Sequence, residues 1–275
     1  MLVAWRVKTW VEPFLYRVIF LARLGSGVVD GLPRFTDTAL LRLIDNKRGA
    51  ILGSTRHLII QDPAYVRRVK PLHLCRLDAI MAACTGVTHL FLHSNSKLES
   101  HELAALGNLV NLRFLAIHLS KLFGYMNPMD GAHPALRNIT HLEVLDTDHA
   151  SFNWEKLAEI PNLTHLAFSE MFACGRLVEA FRVRSRLMDA LVFLSEHDAE
   201  ISVVGWMTEA WFIAVQLSSS NLNWQRGGLT GIDYWGAADR FIAERRAGRV
   251  SLEQYVISAD DTRYFNICKV VPGPR

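Results

Sequence analysis

The stretch NLTHLAFSE, Asn162–Glu170, echoes two earlier ones: NITHLEVLD begins 24 residues upstream at Asn138, and GVTHLFLHS begins at Gly86. In each, Thr-His-Leu is followed two residues later by another apolar side chain. Aligned, the three share apolar residues in the pattern LxxLxL: Val87, Leu90, Leu92; Ile139, Leu142, Val144; Leu163, Leu166, Phe168. The same pattern fits Leu112, Leu115, Ile117, and more loosely Leu15, Val18, Phe20, then Thr55, Leu58, Ile60, and finally Met188, Leu191, Phe193.

Successive starts lie 40, 32, 25, 27, 24 and 25 residues apart. The last four spacings fall within the range of about 20 to 29 of leucine-rich repeats. A short strand alternates its side chains between two faces, and each return segment carries the chain one strand spacing, about 4.8 Å, further along. The inward leucines then stack into one core. Upstream pairs such as Leu106 with Leu109, or Leu157 with Ile160, have the three-residue spacing of a short helix on the convex side. The expected fold is α/β: an irregular leucine-rich-repeat solenoid of about seven or eight repeats, with a parallel concave sheet and a C-terminal capping helix. The repeats run from about residue 9 to 217 and the cap from 218 to 275, in a single domain. Asparagine closes the repeat strand only at Asn95, with Ser120, Thr147 and Met171 at the equivalent places, so an asparagine ladder there is incomplete.

Half of the 275 residues are hydrophobic and 21% are charged, which excludes a disordered chain. With 30 basic and 27 acidic residues, no strong field marks the protein as a binder of nucleic acid or acidic membranes. The four cysteines, Cys75, Cys84, Cys174 and Cys268, form no CxxC pair and suit neither a zinc site nor a disulfide scaffold. They read as reduced thiols of an intracellular protein, cytoplasmic or nuclear. The apolar start is broken by Arg6, Lys8, Glu12, Pro13 and Arg17 before a membrane span accumulates.

No catalytic signature stands out. Gly25, Gly27 and Gly31 fail the dinucleotide fingerprint, because the third glycine comes one residue late and Pro33 follows. Asp146, Asp148 and His149 read as a strand terminus. Cys174 reads as a small apolar residue, and Ser218 to Ser220 lie in no nucleophile elbow. The protein is expected not to be an enzyme; the alternatives are a ligand- or metal-binding enzyme on the same repeat scaffold, which the histidines keep open, and a truncated relative without activity.

The histidines carry more information. If the leucines face inward, then His57, His89, Phe114, His141 and His165 form one row on the opposite, concave surface, with Gln61, His93, His118, Leu145 and Ser169 two positions further on. Such a flat row of side chains diverges, and only Glu143 supplies a nearby carboxylate, so neither a metal site nor a cofactor is expected. The candidate site is instead a polar, aromatic surface binding a protein partner through His89, Phe91, Phe114, His118, His141, Glu143 and His165. Towards the C-terminus, SSSNLNWQRGG reads as an exposed loop. Asp233 is expected to cap a helix with Ala238, Phe241 and Ile242 inward, which with a strand near Gln254 to Ile257 shields the open end of the stack.

RVKTWVEPFLYRVIF near the start, the Thr-His-Leu strands, and GIDYWGAADRFIAERRAGRV near the end together resemble fungal F-box and leucine-rich-repeat-like proteins. The resemblance implies the substrate-recognition part of an F-box-type ubiquitin-ligase adaptor. In that family an F-box commonly precedes the WVEPFLY segment. This sequence begins too late to contain one, so binding to the ligase adaptor is not expected.

Overall fold

A computed structural model describes residues 2–22, 31–32, 34–46, 49–61, 76–94, 97–124, 129–146, 154–168, 188–195, 209–258 and 260–265. Ten strands form one parallel sheet: β1 (Val18–Ala22), β2 (Arg34–Phe35), β3 (His57–Gln61), β4 (His89–His93), β5 (Phe114–Ile117), β6 (His141–Val144), β7 (His165–Phe168), β8 (Ala190–Ser195), β9 (Phe212–Gln216) and β10 (Val256–Ser258). From β3 to β10 each strand lies beside its successor, and β1 sits between β2 and β3. The sheet is therefore α/β in class and laid down in chain order. A parallel neighbour can be reached only by a return across the sheet. Short elements make those returns: α2 (Asp37–Asp45), α3 (Leu77–Ala83), α4 (Ser100–Gly107), α5 (Leu119–Phe123), and single 3-10 turns such as Gly49–Ser54 and Trp154–Glu159. The helix α1 (Leu2–Leu15) precedes the sheet.

The sheet has two dissimilar faces. On the back face Leu58, Leu90, Leu115, Leu142, Leu166 and Leu191 stand in register as direct neighbours. All six are fully buried, packed against Ile80, Leu106, Leu136 and Leu157 of the returns. The LxxLxL reading holds for β3 to β8 and slips by one residue in β1. There Ile19 pairs with Leu58, so Ile19 and Leu21 point to the back, while the expected Val18 and Phe20 point to the front. VIFLA is apolar at every position, and Val18, Ile19, Phe20 and Leu21 are buried on both faces, which leaves no alternation from which to read the register.

The echo also builds the start of each strand. Asn111 Nδ2 donates to the carbonyl of Thr85 at 3.1 Å, Asn138 Nδ2 to Val110 at 3.3 Å, and Asn162 Nδ2 to Arg137 at 2.7 Å. Each asparagine thus reaches the residue just before its counterpart in the preceding repeat. An asparagine ladder runs along the strand starts; of the strand-end positions, Asn95, Thr147 and Met171 lie outside the described residues. At the equivalent Gly86 a side chain is impossible, since a Cβ would lie 2.2 Å from the carbonyl oxygen of Gly53.

Beyond β9 the chain forms α6 (Ser220–Thr230) and α7 (Tyr234–Arg246). Asp233 Oδ1 accepts from Gly236 N at 2.9 Å, and Ala238, Phe241 and Ile242 are buried as expected. Thr36 likewise caps α2, accepting from Ala39 N. Two expectations are corrected. SSSNLNWQRGG is mostly helix, not loop, because its Gly228 allows α6 to lie directly on the sheet: a Cβ there would be 3.0 Å from Val18 and 3.4 Å from His57. The cap is also not confined to the stack's end. β10 does extend the sheet beside β9, yet α6 and α7 lie across the front face. That face carries Phe20, Ile59, Phe91, Val192 and Ile213, apolar area that an end cap would leave in water. Asp148, His149, Ser169, Cys174 and the loop around Gly25 and Gly27 lie outside the described residues.

Candidate functional site

Parallel pairing in strict register places His57, His89, Phe114, His141 and His165 side by side on the front face. Their rings form one continuous stack, with centroids 4.2, 4.0, 4.0 and 3.9 Å apart and planes within 27° of parallel. The threonine of each echo secures its histidine. Thr88, Thr140 and Thr164 hold their Oγ1 at 2.9, 2.9 and 2.7 Å from Nδ1 of the following histidine. The same hydroxyls lie 3.2 to 3.3 Å from the carbonyl of the preceding strand's Arg56, Arg113 or Thr140. A hydroxyl proton given to that carbonyl leaves the oxygen to accept from the ring's Nδ1–H.

Burial makes His57, His89 and His141 poor bases. His57 is pushed down to about 4 by burial and then by the Arg17 charge, and His89 to about 3 by burial and then by His57. His141 falls to about 2 for the same first reason, followed by its neighbours His165 and His89.

The cover comes from the C-terminal helices. Trp224 of α6 lies 5.8 Å from Phe91 and 6.3 Å from His89, and Trp235 of α7 stands perpendicular to His141 at 5.1 Å and to His165 at 6.1 Å. At their centre is Glu143, 1% exposed, flanked on the paired strands by Ala116 and Ala167, whose small side chains leave room for the aromatic cover. Its carboxylate accepts from Trp224 Nε1 at 2.5 Å, from Tyr234 Oη at 2.7 Å and from Ser220 Oγ. Burial raises the Glu143 pKa, and the hydrogen bonds from Ser220, Tyr234 and Trp224 oppose that rise. Asn221 Nδ2 adds a bond to Gln61 Oε1 at 2.7 Å. On the α7 side His165 Nε2 meets Asp239 Oδ1 at 2.8 Å.

Of the residues read as a partner surface, the structure brings His89, Phe91, Phe114, His141, Glu143 and His165 together, beneath the chain's own helices. His118 stands apart at the start of α5, its ring 4.9 Å from His93, and is lowered to about 4 by burial, then by His93 and Lys121. The row is not open to solvent: His165 is only 7% exposed, and the others are half-buried rings stacked on their neighbours. Sequence reasoning read Trp224 and Trp235 as closing the core and missed Ser220, Tyr234 and Asp239; all five lie 55 residues or more beyond His165 and share no repeat with it. The one available signal was the lone Glu143 in an apolar strand, a buried carboxylate that needs donors from elsewhere.

A different surface is open. On α1, Val7, Trp10, Val11, Phe14 and Leu15 are 49, 71, 45, 72 and 57% exposed. The spacing of positions 7, 10, 11 and 14 gathers them on one helical stripe. Beside the helix end, which Ser54 Oγ holds through the Pro13 carbonyl at 3.1 Å, lies a hollow of about 420 Å³ lined by Phe14, Arg17, Arg56, His57 and His89 among others. Among the described residues no helix is long and apolar enough to cross a membrane. No protein-family model matches the sequence, and no curated protein matches it either.

Proposed function

We propose that the chain is a non-enzymatic protein-interaction module, an irregular leucine-rich-repeat solenoid whose concave sheet is occupied by its own C-terminal helices. The outside partner binds instead at α1 and the adjoining hollow. The observation that carries this reading is the exposed stripe Val7, Trp10, Val11 and Phe14, which runs into a hollow bearing Arg17 and Arg56. Contiguous exposed apolar surface beside charge is how recognition sites for amphipathic segments are built. The partner is therefore an amphipathic protein segment with apolar side chains for the stripe and a carboxylate for the arginines. The resemblance to F-box proteins supports the further reading that this is the substrate-recognition part of a ubiquitin-ligase adaptor.

The test is selection from a random peptide library on the purified full chain. The expected binders combine acidic and large apolar residues, lose affinity at least tenfold on Trp10→Ser with Phe14→Ser, and weaken on Arg17→Glu. Binders indifferent to all three changes overturn the α1 site. Catalytic turnover by the purified chain that is lost on mutating the histidine row overturns the non-enzymatic reading.

A further inference from the structure

The front face holds a constellation that an interaction role leaves unused. The ligand atoms of His141, His165 and Asp239 all lie within 4.8 Å of one another. We infer that these three side chains form a binding site for a borderline divalent metal ion, with Zn²⁺ as the representative, joining β6 and β7 to α7.

Three features support the assignment. The donors come from three separate segments that tertiary packing makes converge. Two imidazoles stand on directly paired positions, His141 with His165, and the carboxylate descends from the helix above them. The row alone diverges, as its sequence suggests; Asp239 is what closes it.

Second, the threonines set the ring chemistry. Thr140 Oγ1 and Thr164 Oγ1 occupy both Nδ1 atoms, at 2.9 and 2.7 Å, and each lies 3.3 Å from a main-chain carbonyl able to take its proton. In that arrangement Nδ1–H donates to the threonine, and Nε2 presents its lone pair, the tautomer a metal requires and the outer-shell support histidine ligands ordinarily have. A bare Nε2 lone pair 2.8 Å from a carboxylate oxygen is repulsive unless a positive centre lies between or beside them. A cation shared by both rings and Asp239 supplies it. The alternative is a single proton on His165 Nε2, with Thr164 donating to Nδ1.

Third, the surroundings suit an ion reached from one side. His165 is nearly closed off, with a side chain 9% exposed, whereas Asp239 is 52% exposed and leaves an approach from solvent. Trp235 shields the rings from above, and its buried Nε1–H has no hydrogen-bond partner among the described residues. A tetrahedral zinc ion with bonds near 2.0–2.1 Å separates its ligand atoms by about 3.3 Å. His165 Nε2 and Asp239 Oδ1, at 2.8 Å, therefore have to open by about 0.5 Å and any wider separation to close by at most roughly 1.5 Å, which rotation of the half-exposed Asp239 and tilting of the two rings provide. With three protein ligands, the fourth position belongs to solvent.

The experiment is titration of the untagged, chelator-treated full chain with Zn²⁺, followed by heat, and with Co²⁺, followed by its visible ligand-field bands. The expected result is one ion bound per chain, tetrahedral Co²⁺ bands, and a rise in melting temperature with Zn²⁺. Asp239→Ala, at a half-exposed helix position, should keep the circular dichroism spectrum and weaken binding at least tenfold. His165→Gln should abolish binding, and circular dichroism reports whether that variant is folded. Absence of stoichiometric binding overturns the site and assigns the His165–Asp239 contact to a proton. Binding that survives Asp239→Ala unchanged also overturns it and points to other histidines, such as His93 with His118. Either failure leaves the α1 proposal standing, since that rests on other residues.

Discussion

The two faces of one sheet are buried by different strategies. The back face is aliphatic and covered locally: each strand's leucines meet the helix or 3-10 turn that returns from it, a few tens of residues away. The front face mixes aliphatic, aromatic and polar side chains, and its cover arrives from 218 onward, so that Glu143 bonds to Trp224 and Tyr234 across 81 and 91 residues. Aliphatic packing tolerates irregular repeats because it is non-directional. The front face depends on hydrogen bonds that only one placement of α6 and α7 satisfies. The rings are nonetheless substantial: an aromatic side chain the size of Trp224 or Trp235 removes roughly 150–250 Å² from water, about 4–6 kcal/mol at 25 cal/mol per Å² before ordering costs.

If the back face is the common core, truncating it should harm the whole chain. Leu142→Ala is expected to cost about 2–5 kcal/mol in urea unfolding, in a single transition, through lost transfer energy and an unfilled cavity. A change below half a kcal/mol would mean that Leu142 is not at the centre of that core.

Acid should act on the front face. His57 and His89 titrate at about 4 and about 3 in the fold, below the ordinary 6.5, so between those values and 6.5 the unfolded chain holds more protons. Their contribution is complete above pH 6.5 and is lost as pH falls towards 4 and then 3. At about 1.36 kcal/mol per pH unit, the two shifts together set an upper bound of about 8 kcal/mol on that loss. Glu143, whose pKa is raised by burial, opposes this as it takes up its proton. Denaturation midpoints measured from pH 7.5 to 4 check the sign. A flat profile would show that the rings are not held neutral by the cover.

Glu143→Gln separates the faces most sharply. It keeps the shape but puts an NH₂ in place of one acceptor oxygen, facing either Ser220 Oγ or the Trp224 and Tyr234 donors, and removes the charge those bonds are made to, with an expected cost of about 1–3 kcal/mol. Trypsin should then cut sooner at Arg226, Arg240 and Arg249, while the leucine core remains protected. Equal acceleration throughout the chain would mean that the two faces unfold as one. The smallest effect is expected at the strand starts: Asn162→Ala removes one exposed rung and should cost no more than about 1 kcal/mol.

Much of the back face was legible because it repeats. LxxLxL gave the strands from β3 to β8, their order and their inward leucines, since period-two alternation and a recurring return are local properties of the chain. Where alternation fails, as in VIFLA, the reading failed by one residue. The histidine row was legible too, as the residues between the leucines, and so was the Asp233 cap of α7. What lies over the row was not, because no periodicity connects Ser220, Trp224 or Asp239 to β6 and β7. Gly227 and Gly228 read as a loop, whereas Gly228 is what allows a helix to approach His57.

The sequence by itself determined the strands, their mutual register through most of the sheet, and which side chains share a face, because strand geometry is set by neighbours in the chain. Tertiary structure decided what those faces meet. Whether Glu143 is a partner's anchor or an internal latch, and whether His141 and His165 gain a third donor, depends on where 218–265 comes to rest. That is set by the shape, the apolar area and the unsatisfied hydrogen-bonding groups of a surface that exists only once the sheet has formed.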